Sequence, residues 1–303
     1  MAWFERLKPR FERFDKIDSR YIYLAVFLSV LLPLFRPIGL PITVGEQTRE
    51  AFLLVDGLPQ GALVIMSPSF APSSDAEVVP QMMALLKHLM SKNAKLLWVN
   101  LTVEGSMYAT RAMDSLKDEF GYEYGRDYVI TPYLPGQQTA IASIASDIKG
   151  ALTVDVSGKP VWDMEAVSGV SSISDFDLLI DFNTGDTCIY YLQQVQPKGV
   201  RVIAGASGVT VPYLMPYLGS GQLAGLLGGL RGAAEYEMVS KTPGLALGGM
   251  DAQSLSHAAI VLFIILGNAA NLAAKSRRGR LDTGADNGEN QGFGYENQGG
   301  TSK

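Results

Sequence analysis

Residues 62–67, ALVIMS, decide the fold class of this chain. A short run without a charged residue is typical of a strand that is buried on both faces of a parallel sheet. Just downstream, residues 74–77 read SDAE, a capping box that opens a helix whose apolar residues recur at helical spacing as far as Met90. A buried strand followed by an amphipathic helix predicts one unit of an α/β fold.

The same alternation repeats along the chain. Four more apolar runs predict strands at residues 95–101, 127–131, 177–182 and 200–205. We therefore expect a doubly wound, mainly parallel sheet of about five strands, of Rossmann, flavodoxin or binding-protein type, with the strand order left open. Further helices are predicted at residues 45–55, 106–120, 139–152, 188–196, 212–218 and 221–239, and residues 153–174 are predicted to be irregular.

Two apolar segments flank this α/β region and are predicted to be N- and C-terminal transmembrane helices. The first, residues 21–43, opens with YIYLAVFLSVLLPLF, 15 residues without a charge. That run is short for a membrane span, which needs roughly 17–25 residues, but Arg36 can extend to the interface. A cleaved signal peptide is the main alternative, and the missing small-residue cleavage site favours an uncleaved anchor.

The second apolar segment, residues 253–274, is centred on AAIVLFIIL and is followed directly by Lys275 and three arginines. Asn268 and Asn271 lie three residues apart, on one face of a helix. Amides at membrane depth usually bind a partner helix. Either this segment packs on another helix, or the span begins earlier and the asparagines lie at the membrane interface.

Basic residues beside both apolar segments predict the orientation in the cell (inner) membrane. Residues 1–36 hold seven Lys/Arg against four Asp/Glu, and such flanks favour the cytoplasm. We expect a basic cytoplasmic N-terminus at 1–20, an extracytoplasmic α/β domain at 44–252 and a cytoplasmic tail at 275–303. The Gly/Asn/Asp-rich tail is predicted to be disordered. The expected partners are membrane lipid and a second copy or other membrane proteins.

Charge and cysteine content exclude several classes of function. The formal net charge is −5, but residues 37–274 hold 13 Lys/Arg and 22 Asp/Glu, a net of −9. A region this acidic repels phosphates. Binding to nucleic acid is therefore not expected. Cys188 is the only cysteine, which rules out an intrachain disulfide and a cysteine-rich zinc site.

Catalytic motifs are missing from the sequence. The loop after the first strand has no glycine, and Asp75 at the following helix start would repel a phosphate, so dinucleotide binding is disfavoured. There is no G-x-S-x-G elbow, and His88 and His257 lie outside the loops at the strand ends. We predict no catalytic residue and no cofactor, and an enzyme is left open as a third, less favoured class of function.

Acidic residues give only weak signals for chemistry. The pairs Glu235/Glu237 and Asp181/Asp186 are interpreted as solvated faces or helix caps rather than acid–base dyads. Asp181, Asn183 and Asp186 could offer oxygens to a hard cation, but an ordinary turn at residues 183–185 is the favoured interpretation. We predict no metal site.

The loops that follow the predicted strands are rich in polar, uncharged residues. In a doubly wound sheet, ligands bind at the carboxyl ends of the strands. Uncharged donors and acceptors suit recognition of a small neutral ligand, although they equally suit a solvated rim. The candidate ligand-binding residues are Ser67, Ser69, Asn100, Thr102, Gln137, Asn183 and Ser207.

Glycines recur every three or four residues in GSGQLAGLLGGLRGAAEYE, residues 219–237. On a helix they would form one smooth face that admits another backbone closely. The face could pack on the domain's own sheet, form an oligomer contact or lie near the bilayer. The helix-packing or oligomer candidates are Gly221, Gly225, Gly229, Gly232, Asn268 and Asn271.

Three stretches carry a resemblance. GQLAGLLGGLRGAAEYE, GYEYGRDYV (residues 121–129) and ASDIKGAL (residues 145–152) resemble a group of uncharacterised prokaryotic membrane-anchored proteins with a single extracytoplasmic α/β domain. The likeness covers most of residues 44–240. It implies the same membrane-anchored layout and brings no activity or site residues.

Two functions from different classes fit these observations. The first is a non-catalytic module that binds or senses a small ligand on the extracytoplasmic side. The alternative is a structural or assembly component of a membrane complex that uses the glycine face.

Overall fold

The computed structural model describes residues 18–286, with side chains described as far as Leu272 and at Lys275. Most of the predicted basic N-terminus and the end of the predicted disordered tail, residues 287–303, lie outside this range. The chain divides into two compact units. One is the α/β domain, Pro33–Asp251, and the other consists of the apolar segments on either side of it.

A single sheet of six parallel strands forms the centre of the α/β domain. The first five strands confirm the predicted ones, with bounds shifted by at most two residues. The strands are β1 (Leu63–Ser69), β2 (Lys95–Asn100), β3 (Tyr128–Tyr133), β4 (Leu178–Asn183), β5 (Arg201–Ala206) and β6 (Gly225–Gly228).

The strand order is β3-β2-β1-β4-β5-β6. The chain therefore builds outward from β1 through β2 to β3, crosses back to the other side of β1, and builds outward again from β4. This is the order of the Rossmann sheet. The direction reverses between β1 and β4, and in sheets of this kind ligands bind in the crevice outside the carboxyl ends of the strands at such a reversal. We call this place the switch point.

Helices cover both faces of the sheet, as the alternation of strands and helices predicts. One face is covered by α2, α3, α4 and α9, and the other by α5 to α8. The helices are α1 (Ser19–Phe35), α2 (Glu46–Asp56), α3 (Asp75–Ser91), α4 (Gly105–Phe120), α5 (Gln138–Ser146), α6 (Ile148–Ala151), α7 (Thr187–Gln194), α8 (Val211–Gly219), α9 (Gly229–Ser240) and α10 (Leu245–Asp286).

Alternate residues of each strand enter the two cores. In β1, Val64 and Met66 pack under α3 and α4, whereas Ile65 packs under α5 to α8. Successive strand side chains point to opposite faces, so a strand buried on both sides must be apolar throughout. Complete burial of a side chain such as Phe182 contributes roughly 1.5–3 kcal/mol to folding. This is why five mainly apolar runs predict the positions of five of the strands.

The connection from β3 to β4 contains the stretch predicted to be irregular. After α6 it forms three short 3₁₀ turns, Val161–Asp163, Glu165–Val167 and Ile173–Asp175. Val161, Val167 and Ile173 are buried there and belong to the core under α5 to α8, and the turn Glu165–Val167 packs against β2 and β3.

The prediction of one helix over residues 221–239 is wrong. Gly221 lies in a turn with φ +76°, Gly225 lies in the sixth strand, and only Gly229 and Gly232 belong to a helix, α9. The four glycines therefore do not form one face. Four residues, GLLG, are too few to show strand periodicity, and the surrounding glycines imitate a helical repeat.

Glycine spacing in this segment reflects packing inside the domain. A Cβ on Gly225 would lie 2.7 Å from the Cα of Ala51 in α2, and a Cβ on Gly232 would lie 2.8 Å from the backbone of Leu227 in β6. Glycine at these positions lets α2 and α9 lie directly against the edge strand. Three roles were predicted for the glycine-rich segment. Packing on the domain's own sheet is the one that applies to Gly225 and Gly232.

Three buried carboxylates hold the parts of the domain that adjoin the apolar segments. Asp251 accepts hydrogen bonds from the backbone N–H groups of residues 38–40 at 2.7–3.0 Å. Glu237 accepts from Ala246 and Leu247, both at 3.0 Å, and caps α10. Glu235 accepts from Gly45 and Thr48, both at 2.9 Å, and caps α2. Glu235 and Glu237 are therefore helix caps, which is one of the two interpretations predicted from the sequence. Both side chains are buried rather than solvated.

In the flanking apolar segments, one helix is long and apolar enough to cross a membrane. It is the part Leu245–Leu272 of α10, which includes most of the predicted second span. α1 is apolar but shorter, at 17 residues. Side chains from residues 22–27 and 260–264 line a groove of 600 Å³ within the compact unit that the two apolar segments form. Asn268 and Asn271 are exposed.

Candidate functional site

Four polar side chains lie side by side at the switch point. The register of β1 and β4 pairs Ser67 with Asp181 and Ser69 with Asn183. Paired residues of adjacent strands share a face, and so do residues two apart along a strand. All four side chains therefore lie on the face that is covered by α7.

α7 adds two hydroxyl groups to these four side chains. The Thr187 hydroxyl donates to Asp181 Oδ2 at 2.8 Å, and the Tyr191 hydroxyl donates to Ser67 Oγ at 3.1 Å. The Ser67 and Ser69 hydroxyls are 3.0 Å apart. We call the six residues the switch-point cluster: Ser67, Ser69, Asp181, Asn183, Thr187 and Tyr191. Each is at most 5% exposed.

Two members of the switch-point cluster have unused hydrogen-bonding capacity. Asp181 Oδ1 makes no hydrogen bond, and neither does the oxygen or the nitrogen of the Asn183 amide. A buried polar group without a partner costs roughly 1–3 kcal/mol, and such groups are rare in folded proteins. An asparagine with both polar atoms unpaired at the ligand-binding position of this fold is therefore a strong indication of binding.

Burial raises the pKa of the Asp181 carboxyl to about 7, because the charged form loses its hydration. The hydroxyls of Thr187, Ser69 and Ser67 oppose this rise, and so does the Asn183 amide, which lies near the carboxyl without making a hydrogen bond. These four groups converge on Asp181, which is the only carboxylate of the switch-point cluster. The cluster can therefore hold either a proton or a positively charged group.

Two further amides lie on the opposite face of the sheet. Asn100 donates to the carbonyl of Thr131, and its Oδ1 is unpaired. Gln81 donates to the carbonyls of Ala206 and Gly229 at 3.0 and 2.8 Å, and its Oε1 is unpaired. These amides fix strand ends and the start of α9. Because the sheet separates them from Asp181, they do not belong to the switch-point cluster.

The rim above the switch point is acidic. Loops 70–74, 101–104, 134–137, 184–186 and 207–210 contain no Lys or Arg. Asp75 and Glu77 occupy the start of α3, where the helix dipole would otherwise attract a phosphate. Glu77 accepts a hydrogen bond from the Gly208 N–H at 2.7 Å. The site has the sheet order of a dinucleotide-binding protein but the wrong charge for a dinucleotide.

The seven predicted ligand-binding residues do not form a single site. Ser67, Ser69 and Asn183 come together in the switch-point cluster, and Asn100 lies on the other face of the sheet. The remaining three lie elsewhere: Thr102 binds the carbonyl of Pro68 at 3.2 Å, Ser207 pairs with Thr210 at 2.9 Å, and Gln137 is exposed beyond β3.

Sequence reasoning missed two members of the cluster and undervalued a third. Thr187 and Tyr191 were overlooked because they lie on a helix rather than in a loop. Thr187 and Tyr191 are four residues apart and directly follow the loop after β4. This spacing places both on one helix face and is a signal in the sequence for including them in the site. The sequence interpretation places Asp181 in a turn, a dyad or a weakly indicated cation site, whereas it lies inside β4 and is completely buried.

His88 and Cys188 are reactive side chains that lie outside the switch-point cluster, and both are buried in the packed interior of the domain. His88 Nδ1 lies 2.8 Å from the Tyr236 hydroxyl and its Nε2 lies 3.6 Å from Asp56, in a buried cluster remote in the fold from the switch point. Burial raises the pKa of the Cys188 thiol and makes it unreactive. Within residues 18–286, no group of three or more His, Cys, Asp or Glu residues is arranged to bind a metal.

A groove of 690 Å³ lies at the opposite, amino-terminal end of the sheet. It is lined by exposed Glu50 and Arg201 and by residues 218–224. The charged groups of this groove are already hydrated by solvent, so contact with a ligand would add little binding free energy. The switch-point cluster, with its unpaired buried groups, is the better candidate.

No protein-family model, curated protein or solved structure matches this chain. Function is therefore inferred from the site itself, because fold alone does not specify it.

Proposed function

We propose that this protein is a membrane-anchored, non-catalytic module that binds or senses a small, polar ligand at the switch point. The ligand is neutral or positively charged. It places a hydrogen-bond donor or a positive charge against Asp181 Oδ1 and pairs with at least one polar atom of the Asn183 amide. The acidic rim and the absence of Lys and Arg from the loops disfavour phosphates and carboxylates.

The unpaired Asn183 side chain is the observation that carries this proposal. It is completely buried, lies at the end of β4, and has an unused donor and an unused acceptor. A ligand that fills both would recover the free energy lost by burying them. A site built in this way binds its matching ligand tightly and rejects analogues that lack one of the partners.

Membrane anchoring is supported by helix Leu245–Leu272 and by the basic residues that follow it. We propose that α1 forms a second span and that both termini are cytoplasmic. The α/β domain then faces the extracytoplasmic side of the cell membrane, where it meets ligands from outside the cell.

A thermal-shift screen of the full-length chain in detergent tests the binding function. We expect at least one neutral or cationic metabolite to raise the melting temperature, because a ligand stabilises the state that it binds. The Asn183→Leu variant should lose this response. Gln193→Ala, which removes an exposed amide from α7, should keep it. A response of equal size in Asn183→Leu would contradict the proposed site.

Exposed asparagines support assembly in the membrane as a second function. Asn268 and Asn271 share one face of α10, directly after its apolar stretch at residues 258–267, and are exposed in the single chain. In a bilayer such amides favour a partner helix. Crosslinking in native membranes should give a dimer or a larger complex that weakens in the Asn268→Leu/Asn271→Leu double variant. A strictly monomeric wild-type chain would contradict the proposed assembly in the membrane.

A further inference from the structure

Starting from the proposed binding function, we infer that the switch-point cluster binds a monovalent inorganic cation, and that Na⁺ suits it best. The ligands would be the carboxylate of Asp181, the amide oxygen of Asn183 and the neighbouring hydroxyl groups. This deepens the proposed function by naming the chemical class that the site recognises.

The donor atoms of the cluster are all oxygens. Thr187 and the two serines supply hydroxyl oxygens, Asn183 supplies a carbonyl oxygen, and Asp181 supplies a carboxylate. No sulfur or imidazole nitrogen belongs to the cluster. Oxygen ligands of this kind suit hard cations and do not suit zinc or copper.

Charge balance selects a monovalent ion. Asp181 is completely buried and the other five members are neutral, so the ionised cluster carries one negative charge. One monovalent cation cancels it, whereas a divalent ion would leave a buried positive charge without a partner, which is costly. Mg²⁺ also tends to keep several of its waters, and side chains at most 5% exposed leave them little access.

The spacing of the oxygens favours a small ion. The Ser67 and Ser69 hydroxyls are 3.0 Å apart, and the Thr187 hydroxyl is 2.8 Å from Asp181 Oδ2. Oxygens at hydrogen-bond distance must move apart to admit any ion between them, and Na⁺, which is smaller than K⁺, requires the smaller displacement. The packed core behind them, with Ile65 and Leu179 on the same face, resists such spreading.

Acidic groups around the rim attract cations toward the switch point. Asp75, Glu77, Glu104 and Asp186 all belong to the segments at the carboxyl ends of the strands. Their field raises the local concentration of cations at the crevice. Asp181 and Asn183 lie directly below the loop that contains Asp186.

Thermal unfolding of the full-length chain in detergent tests this inference. Buffers contain choline chloride at fixed ionic strength, and NaCl, KCl or MgCl₂ replaces part of it. We expect a saturable rise in melting temperature with NaCl, a smaller rise with KCl and no specific rise with MgCl₂. The line width of the ²³Na resonance should also increase when the protein is added.

Three variants assign the ion to the cluster. Asp181→Asn, which keeps the shape of the side chain, should fold and lose the sodium response. Ser69→Ala should fold and shift the response to higher NaCl, because it loses one neutral ligand. Asp118→Asn, a matched change of an exposed carboxylate near the end of α4 and outside the acidic rim, should keep the wild-type response.

Equal melting temperatures in NaCl and choline chloride would overturn the cation inference, and so would a sodium response that persists in Asp181→Asn. The binding function fails separately. If organic metabolites stabilise the protein through Asn183 while sodium has no effect, the proposed function stands without the ion. If neither ions nor metabolites have an effect, both proposals are wrong.

Discussion

Asn183 and Asn100 are both buried at strand ends, but they differ in what they bind. Asn100 donates to the carbonyl of Thr131, whereas both polar atoms of the Asn183 side chain are unpaired. Identical residue types therefore have a structural role on one face of the sheet and a candidate binding role on the other. The difference depends on hydrogen-bond partners that the sequence does not show.

Replacing each asparagine by leucine should change stability in opposite directions. Without ligand, Asn183→Leu should raise the free energy of unfolding by about 1–3 kcal/mol, because it removes buried groups that have no partner. Asn100→Leu should lower it by a similar amount, because it leaves the Thr131 carbonyl unpaired. Chemical denaturation of both variants measures this. Loss of stability in Asn183→Leu would show that its amide is bonded within the folded chain.

His88 makes stability sensitive to mild acid. Its burial lowers the pKa of the imidazole, while nearby Asp56 opposes the effect and Lys92 adds to it. The unfolded chain has an ordinary histidine pKa of about 6.5. Below that value the unfolded state binds more protons at His88 than the folded state does, so the contribution of His88 to stability should fall as the pH drops from 7 toward 5. The raised pKa of Asp181 acts in the opposite direction over the same pH range.

Denaturation curves at several pH values should show that the free energy of unfolding at pH 5, relative to that at pH 7, is higher in His88→Gln than in wild type. His257→Gln changes the only other histidine, which is exposed, and serves as the control. An identical pH dependence in all three proteins would mean that His88 is not responsible.

At the scale of elements, β6 depends on glycine because a helix lies directly on it. A Cβ at Gly225 would meet the Ala51 backbone at 2.7 Å, whereas a Cβ at Gly219 would meet nothing within 4 Å. Gly225→Ala should therefore lower the free energy of unfolding by about 1–3 kcal/mol, and Gly225→Leu should prevent folding. Gly219→Ala should be tolerated. Full stability of Gly225→Ala would contradict the described contact between α2 and β6.

The segment that follows α1 depends on one carboxylate. Asp251 accepts three backbone hydrogen bonds from residues 38–40 and is 2% exposed. In Asp251→Ala these amides should exchange hydrogen with solvent much faster, because their acceptor is gone. Hydrogen-exchange mass spectrometry of peptides covering 38–40 measures this, with Gln253→Ala as the control. Unchanged protection in Asp251→Ala would show that other groups hold the segment.

At the scale of the whole molecule, the sheet was predictable because burial on both faces requires continuous apolar runs. β1 and β4 could be placed within two residues for this reason. β6 could not, because GLLG is short and its glycines serve contacts with α2 and α9 that are distant in sequence. The strand order was also hidden, since it depends on which strands pair and not on any local pattern.

The candidate site was predictable only in part. The rule that ligands bind at strand carboxyl ends identified Ser67, Ser69 and Asn183. It could not separate them from Asn100, because the assignment to a face depends on strand register. Thr187 and Tyr191 reach the switch point only through the packing of α7 against β4. Position in the loops therefore predicted the neighbourhood of the site, and tertiary packing determined its members.

Native mass spectrometry of the full-length chain, released from its detergent micelle, tests most directly whether the switch-point cluster binds a ligand. Wild-type and Asn183→Leu proteins are equilibrated with the same extract of small molecules and salts. We expect a bound small molecule or ion on the wild-type chain and its loss from Asn183→Leu, with Gln193→Ala behaving as wild type. Wild-type protein that is folded and carries nothing, or equal occupancy in Asn183→Leu, would contradict this account.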